Sequence, residues 1–386
     1  PAMGATVMTT TVRPVSGARD LRAFIEFPYR HYAGHPHWVP PLRYDQRRLL
    51  DRRHHPFYRQ ATAEFFLAER DGRPVGRVAA IHNRAHNEFC HDATGFFGFF
   101  ETEDDPATAR ALLDAAAAWC AGRGLTALQG PVSPSTNYEC ALLIEGFDRP
   151  PAFMMPYNHP YYAGLIEAAG FVKAKDLLAY WLSDDHPFPE KLASVTGRLM
   201  QRYGLTTRDI RMDRLDEEID RIFKVYNDAW SSNWGFVPMS REEIAAMAAD
   251  FKWVVDPRVV YIAERGGEPV GFLLALPELN LILKDLGGRL LPLGWLRLLR
   301  ARRRLDVLRV LAMGSLKEYQ SMGFAAALYH DIVTRGTAAG YHHAEIGWVL
   351  EDNVMMNRAA EMLGSKCYKR FRIYHKDLTA SAGAGV

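Results

Sequence analysis

Residues 68–76 read Ala-Glu-Arg-Asp-Gly-Arg-Pro-Val-Gly, and 195 positions later residues 263–271 read Ala-Glu-Arg-Gly-Gly-Glu-Pro-Val-Gly. Each copy follows an apolar run (Phe65–Leu67; Val259–Ile262) and precedes another (Val78–Ile81; Phe272–Leu276). Strand, Gly-containing turn and strand is the signature of a β-hairpin. A second match stands in the same register. Asn158 opens a helix-like stretch closed by Gly170, and Asn353 opens one closed by Gly364, at offsets of 195 and 194. Lys-rich, aromatic strand material follows both (Phe171–Leu182; Lys366–Lys376). Two matches at one spacing predict a tandem duplication. The copies are expected at 11–182 and 191–378, with the joint in Ser183–Glu190, which holds two prolines and three acids.

Two such copies need two cores, and the composition supplies them: 48% of residues are hydrophobic, 24% charged, and there are 20 Phe. That balance excludes disordered, collagenous and disulfide-scaffold classes. Cys90, Cys120, Cys140 and Cys367 lie far apart with no C-x-x-C, so they read as reduced thiols of a cytoplasmic protein. A formal net charge of +2 argues against nucleic acid as a partner. No apolar run approaches the ~18 residues of a membrane span, and no secretory pattern opens the chain. Adjacent histidines at 54–55 and 342–343 point in different directions, so no metal is expected. Pro1–Gly4 reads as an added remnant and Ser381–Val386 as a frayed tail.

Within the second copy, Leu215–Trp230 has helical periodicity, and Ser240 with Glu243 is a capping box opening a second helix. The hairpin spans roughly 259–276. A strand Leu308–Leu316, a helix Gly323–Ala339, a strand Ala344–Leu350, a helix at 353–363 and a final strand follow. This order predicts an α/β class, each copy a mixed, mainly antiparallel sheet flanked by helices. After the 308–316 strand comes Lys317-Glu318-Tyr319-Gln320-Ser321-Met322-Gly323-Phe324-Ala325. A short turn into a helix N-terminus carrying a Gly is a pyrophosphate cradle, because first-turn amides lack intrahelical acceptors and the helix dipole favours anions. A plain helix start also fits those residues.

The strand–loop–helix–strand–helix order resembles the GNAT superfamily of acyl-CoA-dependent N-acyltransferases. In that family's pyrophosphate loop, Gln or Arg is followed by two residues, Gly, one residue, then Gly or Ala; Gln320, Gly323 and Ala325 take those places here. Asn353 and Gly364 match a later helix that often opens with Asn and closes with Gly. More narrowly, Gly130-Pro131…Asn137-Tyr138-Glu139, Met154–Asn158, Asn233–Pro238, Gly288–Pro292 and Trp348–Asn353…Arg358 resemble a tandem-GNAT group that includes bacterial ceramide synthases. The resemblance implies an acyl-CoA donor and an amine acceptor, such as a sphingoid base. It implies loop contacts to CoA from Gln320, Ser321, Met322, Gly323, Phe324, Ala325 and Asn353. Asn137, Tyr157, Asn158, Asn233, Trp234 and Trp348 become candidates for the acceptor side.

Where the first copy's phosphate loop would fall, after the strand Gly95–Phe100, it reads Glu101-Thr102-Glu103-Asp104-Asp105-Pro106. Four carboxylates in five residues would repel a pyrophosphate, and no Gly opens the backbone. The first copy is therefore expected to keep the fold without the site. Its irregular 130–162 stretch is a domain-packing loop or a wall of the acceptor pocket.

Thioester aminolysis needs a base for the amine, a holder for the oxyanion and a departing thiolate. In GNAT folds an amide at the bulge of the fourth strand holds the oxyanion, which maps to Met313, Gly314 and Ser315; Gly314 fits a bulge or a close approach of ligand. Glu351, at the C-terminal end of a strand, is the expected base. Glu345 lies further back, and Asp352 can cap the next helix. The Tyr that many GNAT enzymes carry seven residues after the helix-opening Asn is Ala360 here. Either Tyr368 or Tyr374 replaces it as acid, or a thiolate of pKa ~8.5 leaves unaided.

Residues 279–309 form an insertion. From Lys284 to Arg309, eight Lys or Arg face two Asp, a local net of +6. An apolar stripe around Trp295 with a basic end suits a lipid-facing lid or peripheral membrane contact at 290–304, or an amphipathic helix packed on the sheet. Three functions fit: an N-acyltransferase for a lipid-like amine, an acetyltransferase for a small amine or peptide, and a non-catalytic acyl-CoA-binding module.

Overall fold

The computed structural model describes residues 10–183, 190–301, 304–320 and 324–379. Two compact units account for them. One holds the chain up to Asp176 and again from Phe371; the other is Leu177–Arg370. The division falls inside two long strands, Val172–Ser183 and Lys366–Asp377.

In the first unit the strands Thr11–Pro14, Ala61–Arg70, Arg73–Asn83, Thr94–Thr102 and Ala127–Gly130 lie side by side in chain order. Residues 374–377 of the last strand then pair antiparallel to 127–130. Thr94–Thr102 and Ala127–Gly130 run parallel, joined by the helix Pro106–Ala121. Asp105 caps that helix and Pro106 opens it, as a side-chain acceptor and a pre-set φ should. Its Leu112, Leu113 and Ala116 pack on Val78, Ala80 and Phe97. In the second unit residues 177–183 are followed by His343–Leu350, Val307–Ser315, Glu268–Pro277, Val260–Arg265 and Leu205–Asp209. Here Val307–Ser315 and His343–Leu350 are the parallel pair. The helix Phe324–Ala338 covers one face, and Leu215–Ala229 sets Val225 and Ala229 on Ile262 and Phe272 of the other. The predicted capping box is present: Ser240 and Glu243 bond each other's backbone.

The duplication is visible as geometry. Both hairpins slip register at the same place, between Ala68 and Glu69 and between Ala263 and Glu264. Arg13 bonds Glu69 and Asp20. Arg208, 195 positions on, bonds Glu264 and Glu218 in the same way. The Asn158–Asn353 match, by contrast, is not structural. Asn353 caps its helix, whereas the helix after Asn158 starts only at Tyr162. The reason is local. Pro160 keeps His159 out of helical conformation, and the Asn158 amide clamps both backbone groups of Leu143, at 2.7 and 3.1 Å.

Candidate active site

The second unit contains a fork. Val307–Ser315 and His343–Leu350 pair from Val307↔His343 to Val310↔Ile346, and the pairing stops there. Against its other neighbour, Glu268–Pro277, the first strand continues to Ser315 with a slip that leaves Leu311 unmatched. The second strand also slips, between Ile346 and Val349. Two bulges at one level bend the strands away from each other. Leu311, Ala312, Met313 and Gly314 are half-buried there, after four buried residues. An unpaired strand edge in an apolar cleft can take an extended ligand as though it were another strand.

The bulge therefore lies at Leu311 and not at Gly314. Gly314 keeps regular register opposite Phe272. Its lack of a side chain has another cause: a Cβ there would come within 2.6 Å of the Trp230 ring.

At the base of the fork Arg309 and Glu345 form a buried ion pair, 2.6 Å apart. The Arg309 Nη1 donates to the carbonyls of Val310 and Gly347, at 2.8 and 2.6 Å. The Glu345 oxygens find no hydrogen-bond geometry despite that short contact, so the pair is one of charge. Burial pushes the Glu345 carboxyl up to about 7, opposed by Arg309, with Glu278 and Lys369 adding smaller opposite effects. Sequence reasoning missed Arg309. Its one signal was a cation inside the apolar run Leu308-Arg309-Val310.

Beyond Ser315 the loop is tied down from behind. The Leu316 amide donates to the Val270 carbonyl and the Lys317 amide to Asp228, at 2.9 Å. Gln320 Nε2 donates to the carbonyls of Ala229 and Ser315, both at 3.1 Å. Gln320 thus braces the loop against the end of the helix Leu215–Ala229. Ser321, Met322 and Gly323 lie outside the described residues. Phe324 begins the next helix fully buried, and Ala325 is half-buried.

On the opposite strand Glu351 is the first residue past Leu350. Asn357 organises this end. Its Nδ2 donates to the carbonyls of Leu350 and Glu351, at 3.0 and 3.2 Å, and its Oδ1 accepts from Tyr180 at 3.0 Å. The Asn353 side chain accepts from the Met356 amide, 3.2 Å away. The Trp348 Nε1 is buried without an acceptor. Tyr368 is half-buried, edge-on to Trp181 at 6.0 Å. Tyr374 counts with the first unit, where it is buried and bonds Glu167 at 3.0 Å. Asn233 and Trp234 form the turn after the helix Leu215–Ala229, with the Asn233 amide on the Trp230 carbonyl at 2.8 Å.

The first unit's equivalent fork is filled. Pairing ends at Phe96↔Gln129, and a register slip puts a bulge near Phe99. The Phe99 amide is taken by Ser133 Oγ at 2.9 Å, and the Val132 carbonyl lies 1.5 Å from where a Cβ of Gly98 would stand. Steric filling, more than acidity, closes this slot. Glu103 and Asp105 pair with Arg70, and Glu101 is held by two phenols. Tyr157 donates to the Phe147 carbonyl at 3.0 Å. Asn137 is half-buried near Ser135, whose Oγ takes the Asn137 amide at 3.2 Å.

No family model matches the chain. Full-length relatives do. The protein YghO of Escherichia coli (strain K12) is 36% identical over 374 residues, covering 95% of each chain. A bacterial ceramide synthase of Caulobacter vibrioides (strain NA1000 / CB15N) is 37% identical over 379 residues, covering 95% of this chain and 97% of that one. The chain belongs to the bacterial ceramide synthase family.

Solved structures place this ceramide synthase family member on a tandem GNAT fold. A tandem GNAT protein from the clavulanic acid biosynthesis pathway aligns with a TM-score of 0.54 at 14% identity, over 96% of this chain and 99% of that one. A GCN5-related N-acetyltransferase from Sphaerobacter thermophilus gives 0.52, also at 14%, over 96% of each. Among the described residues no three metal-binding side chains stand together, and no helix is long and apolar enough to cross a membrane.

Proposed function

We propose that the chain is an acyl-CoA-dependent N-acyltransferase that moves a long acyl group onto the primary amine of a sphingoid-base-like lipid, forming a ceramide. The observation that carries this reading is the end-to-end likeness to the Caulobacter protein. The second unit is the catalytic domain, and the first, with its slot filled by its own chain, is the structural one.

A thioester donor suits the fork, whose walls are apolar and half-exposed and whose edges are unpaired. The donor supplies an activated carbonyl; the chain's residues do the rest. Gln320 to Ala325 are the pyrophosphate residues, and Asn353 is a further contact to CoA. Met313, Gly314 and Ser315 line the slot, and an amide at the Leu311 bulge takes the oxyanion. Glu351 accepts the amine's proton, and Tyr368 protonates the thiolate. Trp348, with its buried indole N–H lacking an acceptor, faces a polar substrate atom. Asn233 and Trp234 contribute to the acceptor side.

The insertion supports a lipid substrate. Leu291 is 79% exposed, and Leu293, Trp295 and Leu299 are exposed beside it, with Arg297 and Arg300 also in solvent. An exposed apolar cluster with flanking arginines favours a peripheral site on an anionic, cytoplasmic membrane face. The deciding experiment is CoA release from palmitoyl-CoA or acetyl-CoA, with and without sphinganine. Release that needs palmitoyl-CoA and sphinganine together is expected. Release with acetyl-CoA and a small amine alone would replace this reading with the small-amine one.

A further inference from the structure

His86 and Cys90 stand one helical turn apart on the short helix Arg84–Cys90 of the first unit, and so share a face. The Cys90 sulfur lies 3.8 Å from His86 Nδ1, and His86 Nε2 lies 3.3 Å from Asp92 Oδ2, just past the helix. An ionised carboxylate only accepts, so Nε2 carries the ring proton and Nδ1 is left as the acceptor for the thiol. Nucleophile, base and orienting carboxylate follow one another in the order that nucleophilic triads use. The two ring contacts use opposite nitrogens, so the three side chains do not converge on a point where a metal could sit.

The base and its carboxylate are held in place. Asp92 accepts from Asn87 Nδ2 at 2.8 Å, from Thr94 Oγ1 at 2.9 Å and from the Thr94 amide at 3.3 Å. The His86 ring is buried, edge-on to Phe96 at 4.8 Å, while Cys90 is exposed. Packing alone does not account for these residue types. In the second unit the hairpin is also followed by a seven-residue helix, Asn280–Leu286, whose third and seventh residues, Ile282 and Leu286, are buried apolar side chains. In the first unit the same two places hold His86 and Cys90. Burial lowers the imidazole's hold on a proton and strengthens the thiol's. At neutral pH a thiol therefore faces a neutral base, and the proton moves only as the sulfur attacks.

We propose that Cys90 is a self-acylation site, which takes an acyl group from a thioester by exchange. The bond from Sγ to the acyl carbon forms as the donor's carbonyl–sulfur bond breaks. The Cys90 proton passes to His86 Nδ1 and from there to the departing thiolate. One thioester is made and one consumed, so the step needs no oxidant, reductant or further reactant. The next two amides, of His91 and Asp92, both donate to the Asn87 carbonyl and are not free to hold an oxyanion for an attacking water. A thiol is nucleophilic enough to take the acyl group; water receives no such help, and the modification stops at one group per chain. That the donor in the cell is acyl-CoA rests on the acyl-transfer reading; the exchange itself does not.

The test exposes the full chain at pH 7.5 to S-acetyl-N-acetylcysteamine, a thioester that carries no nucleotide, and follows intact mass and mapped peptides with time. Cys120 and Cys140 are buried, so the exposed Cys367, whose sulfur donates to the Lys369 carbonyl at 3.7 Å, is the internal reference. Cys90 should be acetylated at least about tenfold faster than Cys367, and His86→Gln should remove most of that advantage. Asp92→Asn, at an exposed position, should slow Cys90 several-fold and Asp92→Glu should recover part of the loss; this pair decides if His86→Gln does not fold. Equal rates at the two cysteines, or a Cys90 rate unchanged by these substitutions, would overturn the triad. Acetylation of Cys90 without acyl transfer to any amine counts against the enzyme reading alone. Acyl transfer from palmitoyl-CoA to sphinganine, with Cys90 left unmodified by the small thioester, counts against the triad alone.

Discussion

Arg309 and Glu345 face each other across two parallel strands one rung before those strands separate. Their contact fixes where the fork begins, because the same guanidinium nitrogen also holds the carbonyls of Val310 and Gly347. Removing one partner strands a buried charge, at a cost of about 3–5 kcal/mol, whereas an apolar pair of similar volume can be near neutral. Arg309→Met and Glu345→Gln should each lower the urea midpoint sharply. The double replacement Arg309→Met with Glu345→Leu should recover most of the stability and still turn over slowly, since both carbonyls lose their donor. A double variant with full activity would remove Arg309 from the positioning of the fork.

Gln320 braces the loop proposed to hold the donor. Gln320→Ala deletes two hydrogen bonds worth about 1 kcal/mol each. The KM for acyl-CoA should rise several-fold while kcat stays within about threefold. A loss confined to kcat would mean that Gln320 touches the reacting atoms.

Glu351→Gln should lower kcat on the order of 100-fold, the usual lower bound for a positioned base. Binding of acyl-CoA should be unchanged. Because Glu345 is the other acid on this strand, Glu345→Asp serves as the control; a larger kcat loss there than in Glu351→Gln would move the base to Glu345.

Trp295 and Leu299 lie one helical turn apart and are both exposed. Replacing both by Ser should reduce sedimentation with anionic vesicles and slow palmitoyl transfer more than acetyl transfer. Equal slowing of both would detach the insertion from lipid handling.

His31 gives the fold a pH dependence of known sign. Its folded value, about 4, lies below the ordinary 6.5 because the ring is largely buried. The unfolded chain therefore takes up the proton first, and the contribution is complete above pH 6.5 and lost as pH falls toward 4. Discounted for partial exposure, wild type should lose about 2 kcal/mol relative to His31→Gln between pH 7 and 4.5, read by urea unfolding. No change in that difference would show that the folded and unfolded chains bind the His31 proton equally.

The hairpin repeat was legible because Ala-Glu-Arg…Pro-Val-Gly carries backbone requirements that survive divergence, and each slip of register recurs at the same offset. Helix ends with side-chain caps, such as Ser240 and Asn353, could be read for the same reason. Asn158 could not: the same residue type clamps Leu143 across fifteen positions, a contact no local pattern announces. Gly314 was readable as a place where a side chain is excluded, but not as the site of the Trp230 ring instead of a bulge. The acidic loop after Phe100 looked like the reason for a lost phosphate site. Its charges are largely engaged elsewhere, by Arg70 and by the Tyr32 and Tyr162 hydroxyls.

The Val132 carbonyl packed against Gly98 bears on kinetics as well as on form. A chain with two copies of one fold invites sigmoidal saturation, one copy tuning the other through a shared ligand. With one slot occupied permanently by the chain's own backbone, a single polypeptide has one vacancy for an extended thioester. Its titration should end at one equivalent, and any Hill coefficient above one would have to arise between polypeptides.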